Sequence, residues 1–557
     1  MKKWWVNALG LLVLGGIAAF LRHPVVDEIF CDPDVAGVAY SSQELLDGGS
    51  LYGDTVETKF PGAYFLFAGL TWLFGRSMIV YYVASIAMHL LTMLALFYLN
   101  RKKPGAGLAT AFLYAFYSTS ASTNGLCPNF ETWTVLPIAL GFVSLDRFSI
   151  RQHLLPVAFA GCSLGIAILF KQTAAVFGLV MVAGLWLLGD RTREAAERVG
   201  AFLRDAAVFC VGAAVPLIAM FSFFAYRDEL EDLGRVFGPN AIAGYVSTEP
   251  LATVIGRFTL SGGRFLFQHK VLLLLFLVFL ALSPLNRRQR GSGLWDKSAA
   301  VIAALWLTGA AMAVFAGTKF FGHYFVLLTA PLCLAGGQVV GLLFVVRRIP
   351  TVAAGIGAAL VALGTMADMR VEIRTAQKGM IDRVETGSLY WVYTDNFWRD
   401  VALNRYSHWS RQMRDVGECI EAKTSVEDRI YVWDYEPGVY WYADRRAPTR
   451  HFMYFNVAVD LPKGSGRWHS EVNPHVVAAR AQLIGDLQAH PPTHIVVVNP
   501  LPEGEPDFGF YQVPAPVFPT LRDFVNANYV VDTECTNSYL TAFIRRPEVP
   551  VPRPRTE

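Results

Sequence analysis

Apolar runs long enough to cross a lipid bilayer recur through residues 1–366 and then stop. A helix that crosses a bilayer needs about 20 predominantly apolar residues, and in lipid only helices and closed barrels satisfy their own backbone hydrogen bonds. The runs 4–21, 78–99, 105–121, 131–146, 154–170, 172–189, 206–225, 270–286, 298–316, 322–345 and 350–366 give about eleven candidate spans. The stretch Gly62–Gly75 is too short to span and reads as an interfacial or re-entrant helix. Only 17% of the chain is charged, against about 25% in a soluble protein, whereas residues 367–557 read as ordinary globular sequence. The expected fold class is a polytopic α-helical membrane protein with a C-terminal extracytoplasmic α/β domain. Its parts are a membrane domain 1–366 with a first outer loop 22–77, a water-exposed domain 367–546 and a disordered Pro-rich tail 547–557.

Orientation follows from the cations, because positively charged loops stay in the cytoplasm. Alternate short loops hold Lys2 and Lys3, Arg101 to Lys103, Arg147 and Arg151, Arg191 to Arg204, Arg287 to Lys297, and Arg347 with Arg348. The N-terminus is therefore expected inside, and an odd number of spans leaves the C-terminal domain outside, periplasmic in a cell with an inner membrane. A cleaved signal peptide is the rival reading of the first span and leaves the other loops on the same sides. The net charge of +3 and the scattered Lys and Arg exclude a nucleic-acid partner. Seven cysteines without Cys-x-x-Cys spacing give no zinc site. Outside the spans they fall in twos, Cys31 with Cys127 in outer loops and Cys419 with Cys535 in the outer domain, so pairing within each region is an expectation set against free thiols.

In the C-terminal part, Trp409, Met413, Val416 and Ile420 form a helical stripe followed by the strand pattern Arg429–Trp433. A second helix opens at Pro474, carries Val476, Ala479, Leu483 and Leu487, and precedes the strand-like run Ile495–Val498. Helix then strand, twice, predicts a small α/β domain. It contains no catalytic constellation and reads as a substrate-shaping or partner-binding domain.

Apart from His89, the spans carry few ionisable residues away from their ends, which argues against a transporter or flippase. The charges gather on the outer face instead. The first outer loop holds Asp27, Glu28, Asp32, Asp34, Glu44, Asp47, Asp54 and Glu57 with Lys59. Glu131 opens the fourth span, Lys171 occupies a tight outer turn, and Lys319, His323 and Tyr324 precede the tenth span. A site taking a sugar from a lipid phosphate needs this mixture: a carboxylate for the acceptor's proton and cations for the departing phosphate. The plainer readings are solvated loop acids and snorkelling lysines.

The segments Asp34–Tyr40, Leu45–Gly48, Leu51–Asp54 and Lys59–Gly62 make the first loop similar to that of bacterial glycosyltransferases of the C superfamily (GT-C), relatives of protein O-mannosyltransferases and the lipid A aminoarabinose transferase. Gly165–Gln172, His323-Tyr324 before Pro331, and Ile430–Arg450 extend the resemblance. It implies an inverting integral-membrane transferase with a polyprenyl-phosphate sugar donor and a glycan, lipid or protein acceptor. The implied base is Asp34, with Asp32 the close alternative. Lys59 is implied to meet the lipid phosphate, with Asp54, Tyr52, Glu131, Lys171, Lys319, His323 and Tyr324 around the substrates. Many relatives have an Asp-Glu pair where this chain has Asp34-Val35, so no cofactor is assigned. A lone carboxylate is a poor ligand set for a divalent cation. A lipid-linked oligosaccharide ligase or polymerase is the alternative enzyme, and a non-catalytic membrane scaffold displaying 367–557 the alternative outside catalysis.

Overall fold

A computed structural model describes residues 2–547 apart from 27–28, 56, 58, 191, 193, 238–250, 289–295, 317, 346–349, 387–404, 434–435, 454–456, 458–473 and 500–517. The expected disordered tail lies outside the described residues, Pro547 excepted. In chain order the helices of the apolar part are α1 (Lys2–Arg22), α2 (Pro33–Leu46), α3 (Gly62–Phe74), α4 (Met78–Asn100), α5 (Ala106–Tyr117), α6 (Phe130–Arg151), α7 (Leu154–Phe170) and α8 (Val176–Leu188). They continue as α9 (Ala195–Tyr226), α10 (Leu230–Phe237), α11 (Leu251–Gln268), α12 (Lys270–Arg288), α13 (Lys297–Ala316), α14 (Val326–Val345), α15 (Thr351–Asp368) and α16 (Arg370–Thr386).

Among the described residues, seven helices are long and apolar enough to cross a membrane: α1, α4, α6, α9, α13, α14 and α15. Three further expected spans are apolar helices shorter than that, α5, α7 and α8. The expected span 270–286 is one arm of a pair, α11 and α12, bent by 86° at His269. Gly62–Gly75 forms the short helix α3.

Close helix packing in lipid depends on small residues, since apolar surface alone gains little there. On α7, a Cβ at Gly161 would stand 2.0 Å from the Phe209 carbonyl oxygen, and one at Gly165 would stand 2.3 Å from that of Ala213. These two glycines, one turn apart, let α7 and α9 touch backbone to backbone. At the end of the bundle that gathers the cation-rich short loops, buried Asp146 meets Arg101 at 3.1 Å and Lys102 at 2.8 Å and accepts the Ser298 hydroxyl at 2.8 Å. These contacts tie α6 to the start of α13 and to the turn after α4.

The C-terminal part contains α17 (Arg405–Lys423), β1 (Ile430–Trp433), α18 (Gly438–Ala443), α19 (Pro474–Ala489), β2 (His494–Val498), α20 (Pro519–Asn528), β3 (Tyr529–Val531) and β4 (Leu540–Arg545). The sheet order is β1-β2-β4-β3. β1 and β2 run parallel with Ile430 opposite His494, while β4 is antiparallel to both β2 and β3. Met413, Val416 and Ile420 of α17 and Val476, Leu483 and Leu487 of α19 bury the stripes read from the sequence. Cys419 and Cys535 form a disulfide with Cα atoms 5.5 Å apart. Cys31 and Cys127 instead form no disulfide; both are buried, and the Cys127 Sγ lies 3.5 Å from the Cys31 carbonyl oxygen.

The first loop is not a solvated acidic segment. Its helix α2 lies under the C-terminal domain, and Asp32, Glu44 and Glu57 are buried. The Ala447 N–H donates to the Tyr40 hydroxyl at 2.9 Å, and Arg446 Nη2 meets Asp47 at 2.7 Å. Arg450 Nη2 donates to the Tyr52 carbonyl at 2.8 Å. Phe30 packs edge-on against Trp441 and Tyr442.

Candidate active site

Asp32 starts α2. Its backbone is extended, Pro33 follows as the first helical residue, and its Oδ1 accepts the Asp34 N–H at 2.9 Å, the ordinary capping bond of an Asp at that position. Its other oxygen accepts from Asn124 Nδ2 at 2.8 Å and from Asn129 Nδ2 at 3.5 Å. Asn124 reaches it from a left-handed backbone conformation, φ 55°, which Asn tolerates better than most residues. Both oxygens of Asp32 are thus engaged within the protein. Burial, and then the neighbouring charge of Asp34, raise its carboxyl to about 7 in spite of these donors and the Lys59 cation.

Asp34 sits in the first turn of α2, part exposed, with Oδ2 3.1 Å from Lys59 Nζ. The same Nζ lies 4.3 Å above the Phe130 ring. The backbone of Lys59 is fixed by the buried Tyr52, whose hydroxyl donates to the Lys59 carbonyl at 2.8 Å. Asp54 accepts the Ser50 N–H at 2.7 Å and shapes the turn ahead of it. Glu57, two residues before the lysine, accepts from Ser41 at 2.9 Å and from Tyr64 at 2.6 Å, and burial pushes its carboxyl above the usual range.

The loop then runs against the end of α7. A Cβ at Gly62 would meet the Leu169 carbonyl oxygen at 2.6 Å, so only glycine allows this approach. Just beyond, Lys171 breaks α7 from α8 in extended conformation. It pairs with Glu131, buried in the first turn of α6, and its Nζ lies 3.6 Å above the Tyr324 ring. His323 Nε2 is 3.8 Å from Glu131 Oε1. Lys319, half-buried, stands four residues earlier on the same loop.

Asp34, Lys59, Glu131, Lys171, His323 and Tyr324 therefore gather at one end of the bundle, with Asp32 behind Asp34. Tyr52 and Asp54 shape the loop that carries Lys59. The reading of the sequence missed Asn124 and Asn129, although both precede α6 in a Ser/Thr/Asn-rich turn, and it named Glu57 only among the loop acids. Asp34, Asn129, Phe130 and Trp133 line a narrow recess beside the pair Asp34–Lys59. No group of three or more His, Cys, Asp or Glu suited to a metal ion stands among the described residues.

Comparison with known proteins adds four findings. Residues 58–219 match the family described as dolichyl-phosphate-mannose-protein mannosyltransferase. The undecaprenyl phosphate-alpha-4-amino-4-deoxy-L-arabinose arabinosyl transferase 2 of Pseudomonas fluorescens is 26% identical over 233 residues, covering 39% of this chain and 38% of the relative, so the match spans about two-fifths of that protein. Among solved structures, ArnT from Cupriavidus metallidurans bound to undecaprenyl phosphate aligns over 98% of this chain and 99% of its own, with TM-score 0.58 at 14% identity. The archaeal oligosaccharyltransferase AglB from Archaeoglobus fulgidus, in complex with an inhibitory peptide and a dolichol-phosphate, aligns over 89% of this chain and 70% of its own, with TM-score 0.50 at 12% identity. The matched segment contains Lys59, Glu131 and Lys171, and the chain shares the fold of the solved ArnT along nearly its whole length.

Proposed function

We propose that this chain moves a single sugar from a polyprenyl-phosphate donor to a glycan, lipid or protein acceptor on the extracytoplasmic face of a bacterial inner membrane, with inversion at the sugar. The observation that carries this is the pairing of two carboxylates with two lysines, Asp34 with Lys59 and Glu131 with Lys171, at one end of an apolar bundle. A lipid-linked donor reaches such a site sideways through the bilayer. Asp34 takes the proton of the acceptor hydroxyl as its oxygen bonds to the anomeric carbon. The bond from that carbon to the phosphate oxygen breaks, its electron pair leaves with the lipid phosphate, and Lys59 and Lys171 hold the growing negative charge. Asp32 is the less suitable base because its oxygens are already engaged. His323 and Tyr324 complete the wall behind Lys171.

Membranes carrying the chain are expected to release labelled sugar from undecaprenyl-phosphate sugars, and a lipid pool no different from that of Asp34→Asn membranes overturns the reading. The fold likeness to an oligosaccharyltransferase makes a longer transferred glycan the second reading, decided by the size of the product.

The cation-rich short loops and the Cys419–Cys535 disulfide, a bond typical of oxidising compartments, support an outer C-terminal domain. Alkaline phosphatase fused after Arg370 is expected to be active. An inactive reporter beside a fluorescent cytoplasmic-type fusion reverses the orientation.

The pH dependence follows from Asp32. Burial, and then the neighbouring charge of Asp34, raise its carboxyl to about 7. As Asp32 ionises, its charge strengthens the adjacent carboxylate as a proton acceptor, so the transfer rate is expected to rise with pH through about 7 and level off above it. Asp32→Asn removes the titrating group and should flatten the profile. A profile that is flat across this range in the wild type contradicts the assignment.

A further inference from the structure

Asn129 occupies the position that would cap α6, yet its side chain makes no capping bond. It turns instead toward Asp32, which accepts from its Nδ2. In that contact the NH2 group faces the carboxylate oxygen, as an ionised Asp32 requires. The Asn129 Oδ1 is left pointing elsewhere. The residue is 2% exposed, and this oxygen has no hydrogen-bond partner among the described residues. A buried acceptor with nothing to accept is destabilising, which makes an unfilled partner position worth explaining. Asn129 lines the recess beside Asp34 and Phe130, and Phe130 is the ring on which the Lys59 ammonium rests.

We infer that Asn129 is a sugar-recognising residue, its Oδ1 accepting a hydrogen bond from a hydroxyl or amino group on the donor's sugar ring. This rests on the reading of Lys59 as the phosphate ligand: the sugar is one bond from that phosphate, so a lipid phosphate held at Lys59 brings the ring to the mouth of this recess. Only a donor group can satisfy Oδ1. Phe130 and Trp133 also line the recess, so a substituent seated against Asn129 would discriminate between sugars by where it stands. A site built to hydrogen-bond a substituent rejects analogues without it strongly, because its own polar atom is then left unpaired.

The test uses the full-length protein in nanodiscs and two kinds of probe, undecaprenyl phosphate alone and undecaprenyl phosphate carrying glucose, mannose, galactose or 4-amino-4-deoxyarabinose. Wild-type protein is expected to bind at least one sugar-bearing lipid about tenfold more tightly than the bare lipid phosphate. Asn129→Leu should erase that gain and leave the affinity for undecaprenyl phosphate in place, whereas Asn129→Asp, which keeps an acceptor oxygen there, should retain part of it. Asn124→Leu is the control for a role exerted only through Asp32, since it removes the shorter of the two amide contacts; it should preserve the sugar-dependent gain. If Asn129→Leu lacks a folded population by thermal unfolding, Asn129→Ser carries the same expectation. The inference falls if no sugar improves wild-type binding, if Asn129→Leu keeps the gain, or if Asn124→Leu abolishes it equally. Failure of the underlying reading looks different: bare undecaprenyl phosphate would then bind without dependence on Lys59.

Discussion

Asp34→Asn is expected to lower the transfer rate by roughly 10²- to 10⁴-fold while leaving folding and donor binding near wild type. The substitution keeps size and polarity but cannot take a proton, and an acceptor hydroxyl is a weak nucleophile at neutral pH. The position is suited to the task because Asp34 stays part exposed and has Lys59 as neighbour, so a substrate hydroxyl can reach it. Asp32 differs in each respect. It is buried, caps α2 through one oxygen and is held by Asn124 and Asn129 through the other. Asp32→Asn should accordingly spare most of the turnover and show its effect as a flattened pH profile. Single-turnover measurements on purified protein separate the two, because an effect confined to the chemical step leaves the donor dissociation constant unchanged. Near-normal transfer by Asp34→Asn removes the first loop as the source of the base.

The membrane architecture was legible in the sequence because bilayer thickness imposes a length on every apolar run, and the fourth and tenth candidate spans appear as α6 and α14. Legibility declined where helices are short. The runs around α5, α7 and α8 have the composition of spans, but their helices are only 12, 17 and 13 residues long, with the chain breaking between α7 and α8 at Lys171. In the C-terminal domain the two helix–strand units were visible in their stripes, while β3, three residues long, and β4 lacked a distinguishing pattern. The charged members of the site could be found because isolated charges at the ends of apolar runs stand out. Asn124 and Asn129 could not, since a neutral Asn before a helix reads as a cap. Their role depends on a left-handed turn and on a carboxylate distant in sequence. Nor does sequence spacing reveal that Cys31 and Cys127 lie close as thiols while Cys419 and Cys535 bond.

Lys59→Ala is expected to reduce kcat/KM by roughly 10²- to 10³-fold, the scale seen when one preorganised donor to a developing anion is removed. Unlike Asp34→Asn, it should also weaken binding of undecaprenyl phosphate, because the cation meets the phosphate in the bound donor as well as in the transition state. Lys59→Arg is expected to recover binding better than rate, since a planar fork carries the charge but not the compact geometry above Phe130. Lys171 offers a contrast that separates a ligand cation from a structural one. Its partner Glu131 is 1% exposed, so Lys171→Ala strands a buried carboxylate, a loss on the order of 3–5 kcal/mol that should appear as a lowered unfolding temperature. Asp34, the partner of Lys59, is part exposed and can be hydrated when the lysine is lost, so Lys59→Ala should unfold at nearly the wild-type temperature. Adding Glu131→Gln to Lys171→Ala removes the stranded charge and should restore stability. Whatever deficit in lipid-phosphate binding persists in that stable double variant then belongs to Lys171 as a phosphate ligand, and full recovery of binding would leave Lys59 as the cation that meets the donor.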